Sequence, residues 1–242
     1  HTIANITIAL WIAFLGGVIG SLVVVETGFK FTSTNLTQTI DQPPETISNT
    51  TTPDPELWEK IVTKISPTLV GIQTINGDRV IRQGSGIIVS SDGLIVTTAN
   101  LWGPKGTVYQ VFYDDKIIKG DIVDVNSKTN LLLIKTAVSN SSIAELNSRN
   151  YQSGQEIIII GKNINLSQPV IVSQKGIISQ ATDSLVTIDT VPSKYLFGFG
   201  VSDKYGYLRG LVYLKNGAVN LIKTETIENF FKDYLEKISK SR

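Results

Sequence analysis

The stretch from Gly84 to Trp102 constrains the fold most, because it predicts a tight β-hairpin near the middle of the chain. Two runs of β-branched and aliphatic residues, Ile87–Val89 and Leu94–Thr98, flank an Asp92-Gly93 turn. An Asp-Gly pair between two such runs is a strong short-range indication of a hairpin. The same alternation of short apolar runs and turns continues to about residue 223, which predicts an all-β domain.

The predicted strands are separated by turns rich in glycine, asparagine, aspartate and serine. They are Thr68–Thr74, Ile87–Val89, Leu94–Thr98, Val108–Tyr113, Ile117–Val125, Leu131–Lys135, Glu156–Gly161, Val170–Ser179, Leu185–Asp189, Leu208–Tyr213 and Ala218–Ile222. Tyr151–Gly154 lies between two groups of these strands. We therefore expect one domain over 55–242 with a first barrel at about 67–140 and a second at about 150–223.

Two helices are expected to flank the strands. Asp54-Pro55 supplies a capping residue followed by proline at the first helical position, and the apolar stripe that follows ends before Pro67. A second amphipathic helix is predicted over 224–240, because apolar residues recur there at helical spacing. These residues are Ile227, Phe230, Phe231, Tyr234, Leu235 and Ile238.

The N-terminal part predicts a membrane attachment. Ile6–Val25 contains 20 residues without a charge, which is the length of a membrane-spanning helix, although a buried core helix is the alternative. We expect an anchor over 1–28, a Thr/Ser/Pro-rich flexible linker over 29–54, and an extracytoplasmic globular domain. Gly16 and Gly20 have the spacing that lets two such helices associate.

Composition excludes several kinds of chemistry. The chain has no cysteine, its one histidine is His1, and its net charge of +1 gives no strong attraction to nucleic acid. An acidic stretch lacks the ligand spacing of a calcium loop and predicts solvated turns. Its members are Asp114, Asp115, Asp121 and Asp124. No metal and no cofactor are predicted.

Several segments resemble the HtrA/Deg family of trypsin-like serine proteases. The hairpin at Gly84–Trp102, the segment Asp124–Lys135, the strand Gly176–Ser179 and the segment Gly206–Val212 follow that family's order and spacing. The resemblance implies a trypsin-like double β-barrel with a C-terminal helix. This family usually carries a C-terminal PDZ domain, and we expect none here because the sequence stops after the predicted helix.

Carried over by position, the family's catalytic histidine falls on Asn100, its aspartate on Asn130 and its serine on Phe197. A trypsin-like site needs a serine nucleophile, an imidazole base and a carboxylate that orients the imidazole. Asparagine cannot shuttle a proton at neutral pH, and phenylalanine has no nucleophilic atom. The resemblance therefore predicts a degenerate triad and an inactive homologue that is not an enzyme.

We accordingly expect a membrane-anchored binding, scaffold or regulatory module with a protein or peptide partner. Tyr195, Leu196 and Phe199 are candidates for lining the former cleft. One alternative is a serine-type endopeptidase or hydrolase with a non-standard catalytic set, for which Ser193-Lys194 and Ser202 lie near the former nucleophile loop. The other alternative is a purely structural envelope protein.

Overall fold

The structure is a computed structural model that describes residues 55–139, 141–165 and 168–240. The predicted anchor Ile6–Val25, the linker, Gly16 and Gly20 lie outside these residues. Within the described part of the chain, neither α-helix is long and apolar enough to cross a membrane. The membrane attachment therefore stays a prediction.

The first six strands close into a barrel. Its members are β1 (Leu69–Asn76), β2 (Arg79–Ile88), β3 (Leu94–Thr98), β4 (Val108–Tyr113), β5 (Lys116–Asn126) and β6 (Leu131–Thr136). The neighbour order is β1-β2-β3-β6-β5-β4, with all pairs antiparallel. As expected from the Asp92-Gly93 turn, β2 and β3 pair with Ile87 opposite Val96.

The next six strands close into a second antiparallel barrel. Its members are β7 (Glu156–Asn165), β8 (Gln168–Ala181), β9 (Val186–Asp189), β10 (Gly200–Ser202), β11 (Leu208–Lys215) and β12 (Ala218–Lys223). The neighbour order is β10-β11-β12-β9-β8-β7. A barrel has no free sheet edge, so every strand finds a hydrogen-bonded neighbour on both sides.

The helices α1 (Pro55–Ile65) and α2 (Thr224–Lys240) pack on a core cluster that joins the two barrels. Ile61 of α1 and Ile227 of α2 are buried in this cluster together with Leu69 of β1 and Leu211 of β11. Burying such aliphatic side chains is the main force that holds two barrels and two helices together.

The predicted fold class is confirmed for its double barrel and C-terminal helix. Strand β10 was not predicted, because three residues beside two glycines show no alternation that marks a strand. Strand β2 begins at Arg79, well before the predicted Ile87, since its exposed first half has no apolar pattern. Residues 80–83 of β2 line a surface groove beside Phe197.

Candidate functional site

Asn100 lies where the first barrel's third strand ends. Strand β3 passes into a single 3-10 turn, Ala99–Leu101, which is closed by the Trp102 N–H donating to the Ala99 carbonyl at 3.0 Å. Leu101 is buried and fixes this turn in the core, so the half-buried Asn100 side chain is held at the barrel surface.

Asn130 occupies the turn between β5 and β6. The Asn126 side chain accepts hydrogen bonds from the backbone N–H groups of Lys128 and Thr129, which folds the chain back on itself. Asn130 then adopts φ +57°, a left-handed conformation that asparagine tolerates better than most residues. The turn therefore presents the Asn130 side chain beside the end of β3.

Two hydrogen bonds join Asn130 to the turn that carries Asn100. The Ala99 N–H donates to the Asn130 carbonyl at 2.9 Å, and Asn130 Nδ2 donates to Asn100 Oδ1 at 2.8 Å. Because Asn100 Oδ1 is engaged as an acceptor, the two N–H donors of Asn100 Nδ2 are left for other partners.

This pair borders a pocket of about 480 Å³ to which both barrels contribute, and we call it the seam pocket. The first barrel supplies Asn100 and the turn 127–130, while the second supplies β11, β12 and the turn before β9. The polar side chains that line it are Asn100, Ser127, Lys128, Thr129, Asn130, Asp183, Ser184, Tyr213, Lys215, Lys223 and Thr226. Hydroxyl groups, amides and cations thus face one space at the seam between the barrels.

The second barrel's wall of the pocket is braced by Lys223. Its Nζ donates to the carbonyls of Thr182 and Asp183 at 2.9 and 2.8 Å, which ties β12 to the turn that carries Ser184. Tyr213 is partly buried beside it, and that burial raises the pKa of its phenol, so the group stays protonated.

Phe197 does not line this pocket. It follows a short 3-10 turn, Lys194–Leu196, and packs against the first barrel's core while bordering a separate groove of about 220 Å³. Its carbonyl accepts a hydrogen bond from the Ser85 N–H at 2.8 Å. The structure therefore brings Asn100 and Asn130 together and places Phe197 on a different surface depression.

The backbone N–H groups of this loop are used within the protein. The N–H of Tyr195 donates to Ser193 Oγ at 3.2 Å, and that of Phe199 donates to the Leu196 carbonyl at 3.1 Å. The N–H of Gly198 donates to Val212 at 3.1 Å. A trypsin-like oxyanion hole needs backbone N–H groups that point at the substrate. None of these three N–H groups is free to do so.

The three residues predicted to line a cleft do not share one surface. Tyr195 is 42% exposed, whereas Leu196 and Phe199 are 4% and 1% exposed in the core of the second barrel. The prediction that Leu196 and Phe199 line a cleft is therefore corrected, because their side chains are buried in the core of the second barrel. Phe199 fits because Gly161 leaves room for its ring, as a Cβ at Gly161 would lie 2.5 Å from it.

The alternative catalytic residues near this loop, Ser202 and the Ser193-Lys194 pair, do not line the pocket that Asn100 borders. Ser202 is fully buried and its hydroxyl donates to the Asp203 carbonyl at 3.0 Å, so a substrate cannot reach it. Ser193 caps the 3-10 turn, and Lys194 extends over the Tyr195 ring with Nζ 5.3 Å from its centroid. Neither residue borders the pocket that Asn100 borders.

The acidic stretch does not converge on one point. Asp121 pairs with Lys119 at 2.8 Å and Asp124 pairs with Lys237 of α2 at 2.6 Å. Within residues 55–139, 141–165 and 168–240, no group of three or more acidic or histidine side chains is arranged to hold a metal ion.

Nothing in the sequence predicted the pocket's hydroxyl and cationic residues, above all Ser184, Tyr213 and Lys223. They come from turns and strands about 80 to 120 residues after Asn100 in the chain. Nothing in their local pattern distinguishes them from ordinary turn residues, and only the closure of the second barrel brings them to Asn100.

Two six-stranded barrels meeting at a pocketed seam define a trypsin-like fold. The crystal structure of a serine endoprotease from Yersinia pestis superposes with a TM-score of 0.64 at 21% identity. The match covers 74% of this chain and 66% of that chain, and at this identity it establishes the fold alone.

Residues 84–211 match the trypsin-like peptidase domain, so the chain belongs to the trypsin-like peptidase family. Its relatives are of HtrA/Deg type. The serine protease HTRA1A of Danio rerio is 30% identical over 118 residues, 46% of this chain and 25% of that protein. The serine endoprotease DegS of Haemophilus influenzae is 31% identical over 97 residues, 40% of this chain and 28% of that protein.

These comparisons contradict the prediction that the chain is not an enzyme. The family is one of peptidases, and the relatives carry the names of serine proteases. The matched regions span about a quarter of the length of these relatives. The assignment of Asn100, Asn130 and Phe197 as counterparts of a triad stays a prediction.

Proposed function

We propose that this chain is a serine-type hydrolase of the trypsin-like class that uses a non-standard catalytic set on polypeptide substrates. Membership of the peptidase family supports this function. The observation that carries the non-standard set is the seam pocket, where the Asn100–Asn130 pair of the first barrel faces hydroxyl side chains of both barrels.

In this proposal Asn100 is the hydrogen-bond donor that stabilises negative charge on the substrate's carbonyl oxygen. Its Oδ1 is held by Asn130 Nδ2 at 2.8 Å, which leaves the Nδ2 donors for the carbonyl oxygen of a substrate in the pocket. An amide donor that stabilises the charge developing on that oxygen is worth about 10²- to 10³-fold in kcat in serine hydrolases. Asn130 then acts as a positioning residue.

We assign Ser184 as the nucleophile. It is exposed, borders the pocket and follows Asp183, which is the one carboxylate among the described residues that line it. The Ser184 hydroxyl oxygen attacks the scissile carbonyl, and its proton passes to the Asp183 carboxylate and then to the leaving amine as the C–N bond breaks. Water hydrolyses the acyl ester. A carboxylate is a weaker base than imidazole, so we expect slow turnover.

Hydrolysis of unfolded casein by the full chain in detergent tests this assignment. We expect Ser184→Ala to lower the rate by about 10²-fold or more, since removal of a nucleophile leaves only binding and electrostatic effects. Ser173→Ala, which removes an exposed hydroxyl of β8 outside the pocket, is the control and should retain the rate within about threefold. Full activity of Ser184→Ala, or none in the parent chain, contradicts the proposal.

We further propose that Ile6–Val25 anchors the chain in a membrane, with the barrels on the extracytoplasmic side and with Gly16 and Gly20 available for self-association. The run of 20 uncharged residues supports this proposal. Carbonate extraction of membranes tests it: the anchored chain stays in the pellet, and release into the supernatant contradicts anchoring.

A further inference from the structure

A groove of about 220 Å³ lies between the first barrel's strand β2 and the loop that carries Phe197. We name it the Arg82 groove and define it by residues 80–83 together with Lys194, Tyr195 and Phe197. It is distinct from the seam pocket, because the two share no lining residue.

Large apolar side chains form part of this groove. Val80 is 48% exposed and Ile81 41%, although both are residue types that folding normally buries, and the Tyr195 ring beside them is 42% exposed. Trp102, 45% exposed, borders an adjacent depression that shares Arg82. Exposed apolar groups gathered around one depression are typical of a surface that binds a partner.

The groove is also cationic without a compensating acid. Arg82 and Lys194 line it, Lys105 lines the adjacent depression, and no carboxylate lines either one. Among the described residues, Arg82 and Lys194 form no salt bridge, whereas several other lysines of the chain do. The chain as a whole is nearly neutral, so this charge is local.

The groove lies on the same seam as the proposed catalytic pocket. The Ser85 N–H donates to the Phe197 carbonyl at 2.8 Å, and Thr97 Oγ1 donates to the Ser85 carbonyl at 2.6 Å. Thr97 lies three residues before Asn100 on the strand that leads to the pocket. The loop that lines the groove and the strand that leads to Asn100 are therefore connected through Ser85.

We propose that the Arg82 groove selects polypeptide segments in which an acidic side chain lies next to an aliphatic or aromatic one. The acidic side chain pairs with Arg82 and Lys194, and the apolar one packs on Val80, Ile81 and Tyr195. This inference rests on the proposed function, because it assumes that the seam binds polypeptides. It adds the class of segment that is preferred.

Fluorescence anisotropy with labelled, end-blocked octapeptides tests the selection without requiring turnover. Three peptides with alternating leucine and glutamate, glutamine or lysine are added to the full chain in detergent. We expect the glutamate peptide to bind about tenfold more tightly than the glutamine peptide, and the lysine peptide more weakly still. The tighter binding of the glutamate peptide should weaken toward that of the glutamine peptide at 1 M salt, where the Debye length is about 3 Å.

The variant Arg82→Gln/Lys194→Gln should remove the preference for glutamate while the glutamine peptide binds as before. Lys116→Gln/Lys232→Gln removes two exposed cations elsewhere and should leave the preference unchanged. Equal binding of the glutamate and glutamine peptides, or an unchanged preference in the groove variant, overturns the inference. A chain that selects glutamate but hydrolyses nothing overturns the proposed function instead.

Discussion

In the proposed function, Asn100 and Asn130 determine the chemistry that is available at the seam pocket. An asparagine amide cannot act as a general acid or base at neutral pH as an imidazole does, but it still presents hydrogen-bond donors and an acceptor. Asn130 engages the acceptor of Asn100 at 2.8 Å, so the direction of this one hydrogen bond decides which group faces the pocket.

Substituting Asn130→Asp tests that direction. A carboxylate only accepts hydrogen bonds, so Asn100 must turn to donate from Nδ2, and Oδ1 then faces the pocket. We expect kcat to fall about 10²-fold with KM little changed, because the lost donors act on charge that develops during the reaction. Asn130→Gly, which also accepts φ +57° and leaves Asn100 free to donate, should lose less. Equal kcat in Asn130→Asp and the parent chain contradicts the role of Asn100.

Lys162 of β7 gives a pH dependence to stability. Its side chain is buried, with Nζ 5.7 Å from the centroid of the Tyr113 ring. Burial lowers the pKa of Lys162 below 10.5, although Asp114 and Asp115 act in the opposite direction. The folded state therefore releases the proton at a lower pH than the unfolded state, and the contribution of Lys162 to stability rises with pH toward 10.5.

Urea unfolding of the parent chain and Lys162→Met at pH 7 and pH 10 measures this contribution. The difference in stability between variant and parent should be most in favour of methionine at pH 7 and should narrow at pH 10. A difference that is the same at both pH values means that burial does not disfavour the charged lysine.

At the scale of single elements, α2 covers the core cluster where the barrels meet. Ile227 and Phe230 are buried on one face of this helix, whereas Leu235 is 41% exposed on another. Lys237 pairs with Asp124 of β5 at 2.6 Å, which fixes the helix end to the first barrel. The helix thus packs on the core cluster shared by the two barrels and helps to hold them together.

Ile227→Ala should lower the free energy of unfolding by about 2–4 kcal/mol, since a buried isoleucine leaves a cavity. Leu235→Ala is the control on the same helix and should cost about 0.5 kcal/mol, because its side chain is partly in water. Both are measured by urea unfolding. Similar costs for the two would mean that α2 does not dock through its Ile227 face.

The elements were predictable to different degrees. Strands β3, β4 and β6 are short apolar runs bounded by turns, and this local pattern was enough to predict them. Strand β10 was not, because its residues become a strand only by pairing with β7 and β11. Arg209 shows the same limit: it is 1% exposed and its guanidinium donates to Asn147 Oδ1 at 3.0 Å, a contact that β11 alone does not indicate.

The candidate site was predictable only at its first-barrel half. The resemblance indicated the positions of Asn100 and Asn130, and the structure joins these residues by a hydrogen bond. It did not indicate that Phe199 is buried against Gly161, or that Ser184 and Lys223 reach the pocket. Those contacts join segments far apart in sequence, and no periodicity within either segment encodes them.

For the whole molecule, Gly198 is a residue at which the two barrels approach each other closely. A Cβ at this position would lie 2.1 Å from the Ser85 carbonyl oxygen and 2.3 Å from Thr97 Oγ1, and φ is +71°. Only glycine fits both the conformation and the space. The seam that carries the pocket and the groove therefore depends on this residue.

Gly198→Ala should destabilise the chain by about 3 kcal/mol or more, because the methyl group forces β2 away from the loop. Gly154→Ala is the matched control: its φ is +85°, but a Cβ there meets nothing within 4 Å. It should cost about 1 kcal/mol from conformation alone. Equal costs in thermal unfolding would mean that the crowding at Gly198 is relieved without moving the barrels.

The proposed hydrolase activity of this trypsin-like chain requires a nucleophile in the seam pocket. Intact-mass analysis of the full chain after exposure to a fluorophosphonate tests it most directly, with peptide mapping and a DegS-type relative labelled in parallel. We predict one adduct per chain, located on Ser184 and absent from Ser184→Ala. No adduct on this chain beside a fully labelled relative would contradict the claim.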